Sequence, residues 1–165
     1  MLQVSQRAHY GLRAMTELAK SYGARTMSLA EIAGVEHVPA GYLEQLAIPL
    51  RRAGLIEGTR GAHGGYQLAK PPQDLTVGAV VRALEGPVAP VECLMVEYVP
   101  GSCTREPVCL SRSVWTRVKE SVDNVLDSIT LADLCTTPSE DALPAFVPID
   151  EVRPIQVADP CFVAG

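Results

Sequence analysis

Residues 28–68 carry the strongest structural signal in the chain, and they read SLAEIAGVEHVPAGYLEQLAIPLRRAGLIEGTRGAHGGYQL. Their first four residues are typical of a capping box, in which a serine and a glutamate bind free amide groups at a helix start. One short helix is therefore predicted from Ser28 to about Gly34. Pro39 opens a second helix, since its missing N–H costs nothing in the first turn, and Ala53-Gly54 closes it. Two short helices joined by a brief turn predict a helix-turn-helix.

The flanking residues predict the rest of a winged domain. Before the helix-turn-helix, apolar side chains at three- and four-residue steps predict a helix over about 5–22. After it, short strands at 55–57 and 66–68 enclose a Gly-rich turn, a pattern that predicts a two-stranded wing. Another helix is predicted over about 76–85.

Beyond this head the chain changes character. Residues 91–110 form an irregular loop that holds three of the five cysteines. A long amphipathic helix is predicted over about 110–128, with valines at helical spacing. From Thr136 onward the sequence is Pro-rich and acidic without a period, which predicts a tail.

Composition bounds the class of protein. The 165 residues are 47% hydrophobic and contain no apolar stretch long enough to span a membrane. The start lacks the apolar run of a signal peptide, so we expect a cytoplasmic protein without membrane contact. The net charge is −5. Residues 1–85 nevertheless carry nine Lys+Arg against seven Asp+Glu, so the head is mildly basic and compatible with DNA binding.

The second helix of a helix-turn-helix lies in the major groove, where its N-terminal residues meet base edges. The candidate base contacts here are Ala40, Gly41, Tyr42, Glu44 and Gln45. Glutamate accepts from cytosine and glutamine pairs with adenine. The candidate phosphate and wing contacts are Arg51, Arg52, Arg60, Gly61 and His63. A solvated helical face is the alternative interpretation of the same charges.

The cysteines favour metal or redox chemistry over a disulfide framework, because their number is odd and no secretion signal is present. Cys93, Cys103 and Cys109 are soft ligands in one loop, suited to zinc, copper(I) or an iron–sulfur cluster. The paired spacing of zinc ribbons is missing, which disfavours a structural zinc site. Free thiols are the alternative. Cys161 receives no role.

Several motifs resemble those of the IscR/NsrR-type (Rrf-type) winged-helix regulators. They are YLEQL at 42–46, LRRAGL at 50–55, RGAHGGY at 60–66, TVGAV at 76–80 and ITLADL at 129–134. The resemblance covers residues 2 to about 135. It implies a homodimer on a palindromic double-stranded DNA operator, with the long helix as the dimer seam.

The expected fold class is therefore mainly α: a winged helix-turn-helix with a two-stranded wing, a cysteine loop and a long dimerisation helix. The expected division is a DNA-binding domain at 1–87, a cluster-binding loop at 88–110, a dimerisation helix at 111–135 and a tail at 136–165.

The resemblance also implies that Cys93, Cys103 and Cys109 ligate an iron–sulfur cluster, of 2Fe–2S rather than 4Fe–4S type. Relatives that sense nitric oxide supply a carboxylate across the dimer at the position of His9, which makes His9 of the second subunit the expected fourth ligand. The rivals for that place are Glu92, Glu106 and Cys135.

Three residue-level departures from the family pattern stand out. The gap between the first two cysteines is longer than usual, and Arg112 stands where some members carry a histidine. Arginine stays protonated and cannot ligate. Pro49 lies inside the second helix, where proline removes a hydrogen bond, and it predicts a kink near Gln45-Leu46.

The expected function is repression of transcription in response to iron–sulfur cluster status, with control of cluster-biogenesis genes. One alternative is a repressor that responds to nitric oxide or redox state. Another is a cluster-free regulator of cysteine metabolism that is controlled by a protein partner. An enzyme with Cys/His nucleophilic chemistry is disfavoured, because no motif places a base beside a thiol.

Overall fold

A computed structural model describes residues 4–59 and 64–135 of the chain. Five helices and one two-stranded sheet follow the predicted order within these residues. Their bounds are α1 Gln6–Lys20, α2 Leu29–Glu36, α3 Ala40–Arg52, β1 Ile56–Thr59, β2 Gly65–Leu68, α4 Val77–Glu85 and α5 Leu110–Ser128. None of the described helices is both long enough and apolar enough to cross a bilayer.

Three of the five described helices begin at a residue whose side chain caps the helix. Ser5, Ser28 and Thr76 each accept an amide hydrogen bond at the start of α1, α2 and α4. Each such cap stabilises a helix by about 1 kcal/mol. The α3 helix is assigned without interruption from Ala40 to Arg52, and Pro49 lies in its last turn. Pro49 therefore does not interrupt the helix. A bend of the helix near Gln45-Leu46 stays a prediction.

The wing is a short antiparallel hairpin. Ile56 pairs with Leu68 and Thr59 with Gly65. Tyr66 also exchanges backbone hydrogen bonds with Met27, at 2.9 and 2.7 Å, which ties the wing to the residues after α1. A Cβ atom at Gly65 would lie 2.7 Å from the Met27 backbone, so this close approach requires glycine.

The core lies between α1, α3, α4 and the base of the wing. Its largest fully buried side chains are Met15, Ile32, Leu43, Leu46, Leu68, Val80 and Leu131. The last of these lies beyond α5. The sequence groups residues 129–135 with the long helix, but they pack back into the head.

Two backbone hydrogen bonds fix this return. The Val77 amide donates to the Ile129 carbonyl and the Leu131 amide to the Leu75 carbonyl, each at 2.8 Å. The described part of the winged domain is therefore completed by a segment that follows the dimerisation helix in sequence.

Candidate nucleic-acid interface and cysteine loop

The α2 helix is held at both ends, which fixes where α3 begins. At its start the Ser28 amide donates to the Glu31 carboxylate at 2.7 Å, and the Glu31 amide donates to the Ser28 hydroxyl at 3.2 Å. The Ser28 amide, the Ser28 hydroxyl and then Arg25 lower the pKa of Glu31 to about 2. At its end His37 takes the left-handed conformation with φ 53°, and buried Val38 follows. This conformation turns the chain into α3 within three residues.

One face of α3 is buried and the other is exposed. Leu43, Leu46, Ala47 and Leu50 lie in the core. The exposed side chains follow the opposite face at helical steps: Ala40, Gly41, Glu44, Gln45, Ile48, Arg51 and Arg52. All the predicted base contacts of this helix except Tyr42 lie on the exposed face. Their contacts with bases stay a prediction.

Tyr42 is half-buried and braces α3 against α1. Its ring meets the ring of Tyr10 edge-on, with centroids 6.0 Å apart. The guanidinium of Arg13 lies 5.7 Å from the centre of the Tyr10 ring and donates to Glu36 at the end of α2. Tyr42 is therefore part of the packing that orients α3, whether or not it also touches DNA.

A groove of about 390 Å³ lies between α3 and the wing, lined by Ala47, Ile48, Arg51, Arg52 and Tyr66. Within the described residues neither arginine forms an ion pair. Two unpaired guanidinium groups beside an open groove are suited to bind phosphate oxygens. Arg60, Gly61 and His63, the predicted wing contacts, lie outside the described residues.

The three predicted ligand cysteines lie in different settings. Cys93 is half-buried in a short turn at Glu92–Leu94, and Cys103 is exposed. Cys109 precedes α5, with its sulfur 3.2 Å from the Ser111 hydroxyl. That hydroxyl, followed by the Arg112 backbone amide, lowers the pKa of Cys109.

These thiols do not fit a shared cluster as they lie. Across residues 4–59 and 64–135, no group of three or more histidine, cysteine or acidic side chains could hold a metal ion. Ligation of a cluster by Cys93, Cys103 and Cys109 therefore stays a prediction.

Glu106 shapes the loop by accepting three hydrogen bonds. Its carboxylate receives the Tyr98 hydroxyl at 3.0 Å, the Gly101 amide at 2.6 Å and the Arg112 guanidinium at 2.6 Å. The Gly101 amide and the other two donors lower the pKa of Glu106. Arg112 thus holds the loop against the first turn of α5.

The other predicted fourth ligands lie on three different segments of the chain, and ligation by His9 of a second subunit stays a prediction. His9 is an exposed residue of α1, and its ring contacts the neighbouring Tyr10. Glu92 is exposed in the first turn of the loop. Cys135 packs against the core and donates from its sulfur to the Leu131 carbonyl at 3.2 Å, and burial raises its pKa.

The α5 helix contains no buried residue. Large apolar side chains are exposed along it, including Leu110, Val114, Trp115 and Val125. Near its C-terminal end it contacts α4 through charges: Arg82 donates to Asp127 at 2.5 Å and lies 3.6 Å from Asp123. Gly78 of α4 leaves room for the Asp127 carboxylate.

Two features of the structure were not predicted from the sequence. Ile48 is an exposed apolar side chain on the polar face of α3. Its helical position, outside the buried stripe of Leu43, Leu46 and Leu50, could have predicted this exposure. The Arg82–Asp127 pair joins residues 45 positions apart, and nothing in local periodicity indicates such a contact.

Comparisons with known proteins agree on one family. A model of the Rrf2 family, described as iron-dependent transcriptional regulators, matches residues 4–137. The HTH-type transcriptional regulator CymR of Bacillus subtilis is 44% identical over 135 residues, covering 82% of this chain and 91% of that protein.

Solved structures give the same result. The structure of CymR, titled the global cysteine regulator of B. subtilis, superimposes with a TM-score of 0.67 at 42% identity, over 82% of this chain and 97% of that one. The structure of T. potens IscR gives 0.65 at 42% identity, over 81% and 85%. These matches confirm the winged-helix fold.

Proposed function

Since the chain belongs to the Rrf2 family of transcriptional regulators, we propose that it is a sequence-specific repressor that binds a palindromic double-stranded DNA operator as a homodimer in the cytoplasm. The observation that carries this proposal is the exposed face of α3. It combines Glu44 and Gln45, which can pair with base edges, with Arg51 and Arg52, which can bind phosphates.

The apolar side chains of α5 support the homodimer. A 19-residue helix that buries none of its side chains within the described chain gains little stability from packing. A second copy would cover the same side chains in a symmetric interface, since a two-fold axis places identical patches together. Each head would then present its α3 to one half-site of the operator.

DNA selection with the full chain tests this proposal. A random duplex library is selected with the purified protein, and the affinity for the recovered sequence is measured across a series of salt concentrations. Gln45→Ala should relax specificity at one base pair of each half-site. Arg51→Ala should weaken binding to all sequences and lower the salt slope by about one per subunit. A library that yields no common sequence would overturn the proposal.

Two signals are candidates for control of this repressor. Iron–sulfur cluster status is supported by the three cysteines of the loop and by the description of the family as iron-dependent. Control without a cluster, in a regulator of cysteine metabolism, is supported by the likeness to CymR, the global cysteine regulator of B. subtilis, and by the lack of a group of three or more possible metal ligands within the described residues. The geometry favours the second candidate and the cysteine content the first.

One experiment separates the two signals. The protein is purified anaerobically, iron and acid-labile sulfide are assayed, and the visible spectrum is recorded. Stoichiometric iron and sulfide, together with operator binding that changes on reconstitution and is insensitive to it in Cys103→Ala, would establish cluster sensing. Colourless protein whose operator affinity is the same in Cys103→Ala would establish cluster-free control.

A further inference from the structure

Ile48 is an exposed hydrophobic side chain in the middle of the polar face of α3. It is 59% exposed, and it is the one large apolar residue among the exposed positions of this helix. We infer that Ile48 contacts the C5 methyl group of a thymine in each operator half-site. This inference rests on the proposed binding of DNA through α3.

The position of Ile48 on the helix supports a base contact. Counted from Gly41, the exposed face continues at offsets of 3, 4 and 7 residues, which are the positions of Glu44, Gln45 and Ile48. Recognition helices that lie in the major groove, such as the third helix of homeodomains, contact bases from four positions with the same steps. Ile48 therefore occupies the last base-facing position of the set.

Its neighbours on either side have distinct partners. Gln45, one turn earlier, can pair with a base edge, whereas Arg51, one turn later, borders the groove beside the wing and can bind a phosphate. In the proposed complex, a side chain between Gln45 and Arg51 would face the floor of the DNA major groove, close to the phosphate backbone. The thymine methyl group is the apolar group that base pairs present in the major groove, so it is the partner that fits an isoleucine.

The side chain is also stiff. A β-branched residue in a helix has one strongly preferred χ1 angle, so Ile48 loses little conformational entropy when it is covered. Covering one methyl group should then be visible as a change of about fourfold in affinity.

The experiment compares thymine with uracil, which differ only in that methyl group. After selection of the operator by the wild-type protein, each thymine of one half-site is replaced singly by deoxyuridine, and affinities are measured at one fixed salt concentration. The same series is measured with Ile48→Ala and with Val35→Ala. Val35 is a matched control, because it is 56% exposed on α2, outside the exposed face of α3.

We expect one deoxyuridine position to weaken wild-type and Val35→Ala binding about fourfold and to leave Ile48→Ala binding unchanged. Three outcomes would overturn the inference: a selected half-site without thymine, no deoxyuridine effect in the wild type, or an effect that persists in Ile48→Ala. Each of these outcomes requires that a sequence has been selected, so each leaves the proposed function intact. Since Ile48 is exposed, the thermal unfolding midpoint of Ile48→Ala should match the wild type, which excludes misfolding as the cause.

Discussion

The winged head and the region that follows it differ in what they bury. The described head holds nearly the whole core, from Ala8 to Leu84, whereas no side chain between Glu85 and Thr130 is buried. The loop and α5 are held instead by hydrogen bonds and charges, of which Glu106 and Arg82 are the centres. The head therefore has a core that Leu131 completes, whereas the second region exposes apolar side chains that the proposed second copy would cover.

The largest expected effect tests where the head ends. Leu131→Ala should lower the free energy of unfolding by about 2–5 kcal/mol, because it empties a site in the core where the side chain is 0% exposed. Chemical denaturation at low protein concentration measures it. The control Val96→Ala, at a loop side chain that is 77% exposed, should change the free energy by less than about 0.5 kcal/mol. Equal losses would contradict the assignment of Leu131 to the head.

The second effect tests whether α5 needs a second copy. Val125→Asp should raise the dimer dissociation constant by about a hundredfold or more, since a buried unpaired carboxylate costs several kcal/mol. Asn124→Asp is the control. It adds the same charge at the neighbouring position, which lies outside the apolar face that contains Val114 and Val125. Analytical ultracentrifugation measures the constant, and circular dichroism should show a folded head in both variants. A dimer that survives Val125→Asp would place the seam elsewhere.

A smaller effect tests the joint between the two regions. Asp127→Asn should cost about 0.5–1 kcal/mol, because the pair with Arg82 is partly exposed and screened by solvent. Arg82 lowers the pKa of Asp127, so the stabilisation is present above the unfolded pKa and is lost as the pH falls through the folded value. Hydrogen exchange at the start of α4 should rise in Asp127→Asn at neutral pH. Glu120→Gln, on the exposed side of α5, is expected to leave that exchange unchanged.

The smallest effect concerns acid stability within the head. The pKa of Glu31 is about 2 in the folded chain and about 4.3 when unfolded, so its contribution is complete above pH 4.3 and disappears on acidification towards pH 2. Glu31→Gln keeps a side chain that can cap the helix but does not titrate in this range. Its unfolding midpoint should therefore fall less than that of the wild type between pH 5 and pH 3. Parallel curves would show that Glu31 is not coupled to folding.

Local signals predicted the head well and the second region only in part. The Ser28 capping box, the Pro39 helix start and the two strands of the wing are each encoded within a few residues, and the helices and strands that they predict were found. Periodicity reports that one face of α5 is apolar but not what covers it. The return of Leu131 to Leu75 and the pairing of Arg82 with Asp127 depend on distant positions, so no local pattern could predict them.

The candidate site shows the same difference between features encoded locally and features that depend on distant residues. Exposure of Glu44, Gln45 and Arg51 follows from the helical period and the position of the core. The period also places Tyr42 on the apolar stripe of α3, whereas its ring partner Tyr10 lies on another helix, which no local pattern indicates. The hydrogen bonds within the cysteine loop centre on Glu106, a residue that the sequence marked as a ligand candidate and whose carboxylate accepts from Tyr98, Gly101 and Arg112.

The way α5 is attached has a mechanical consequence. Its C-terminal end is fixed to the head by Asp127 and by the backbone bonds at Ile129 and Leu131, whereas the cysteine loop joins its opposite end. A 19-residue helix is about 28 Å long, so a tilt of about five degrees about the fixed end moves the far end by about 2.5 Å. The helix is thus a lever with its fulcrum in the head. A rotation of the head by a few degrees therefore displaces the loop end of α5 by a few ångströms. In the same way, a displacement of a few ångströms at the loop rotates the head by only a few degrees.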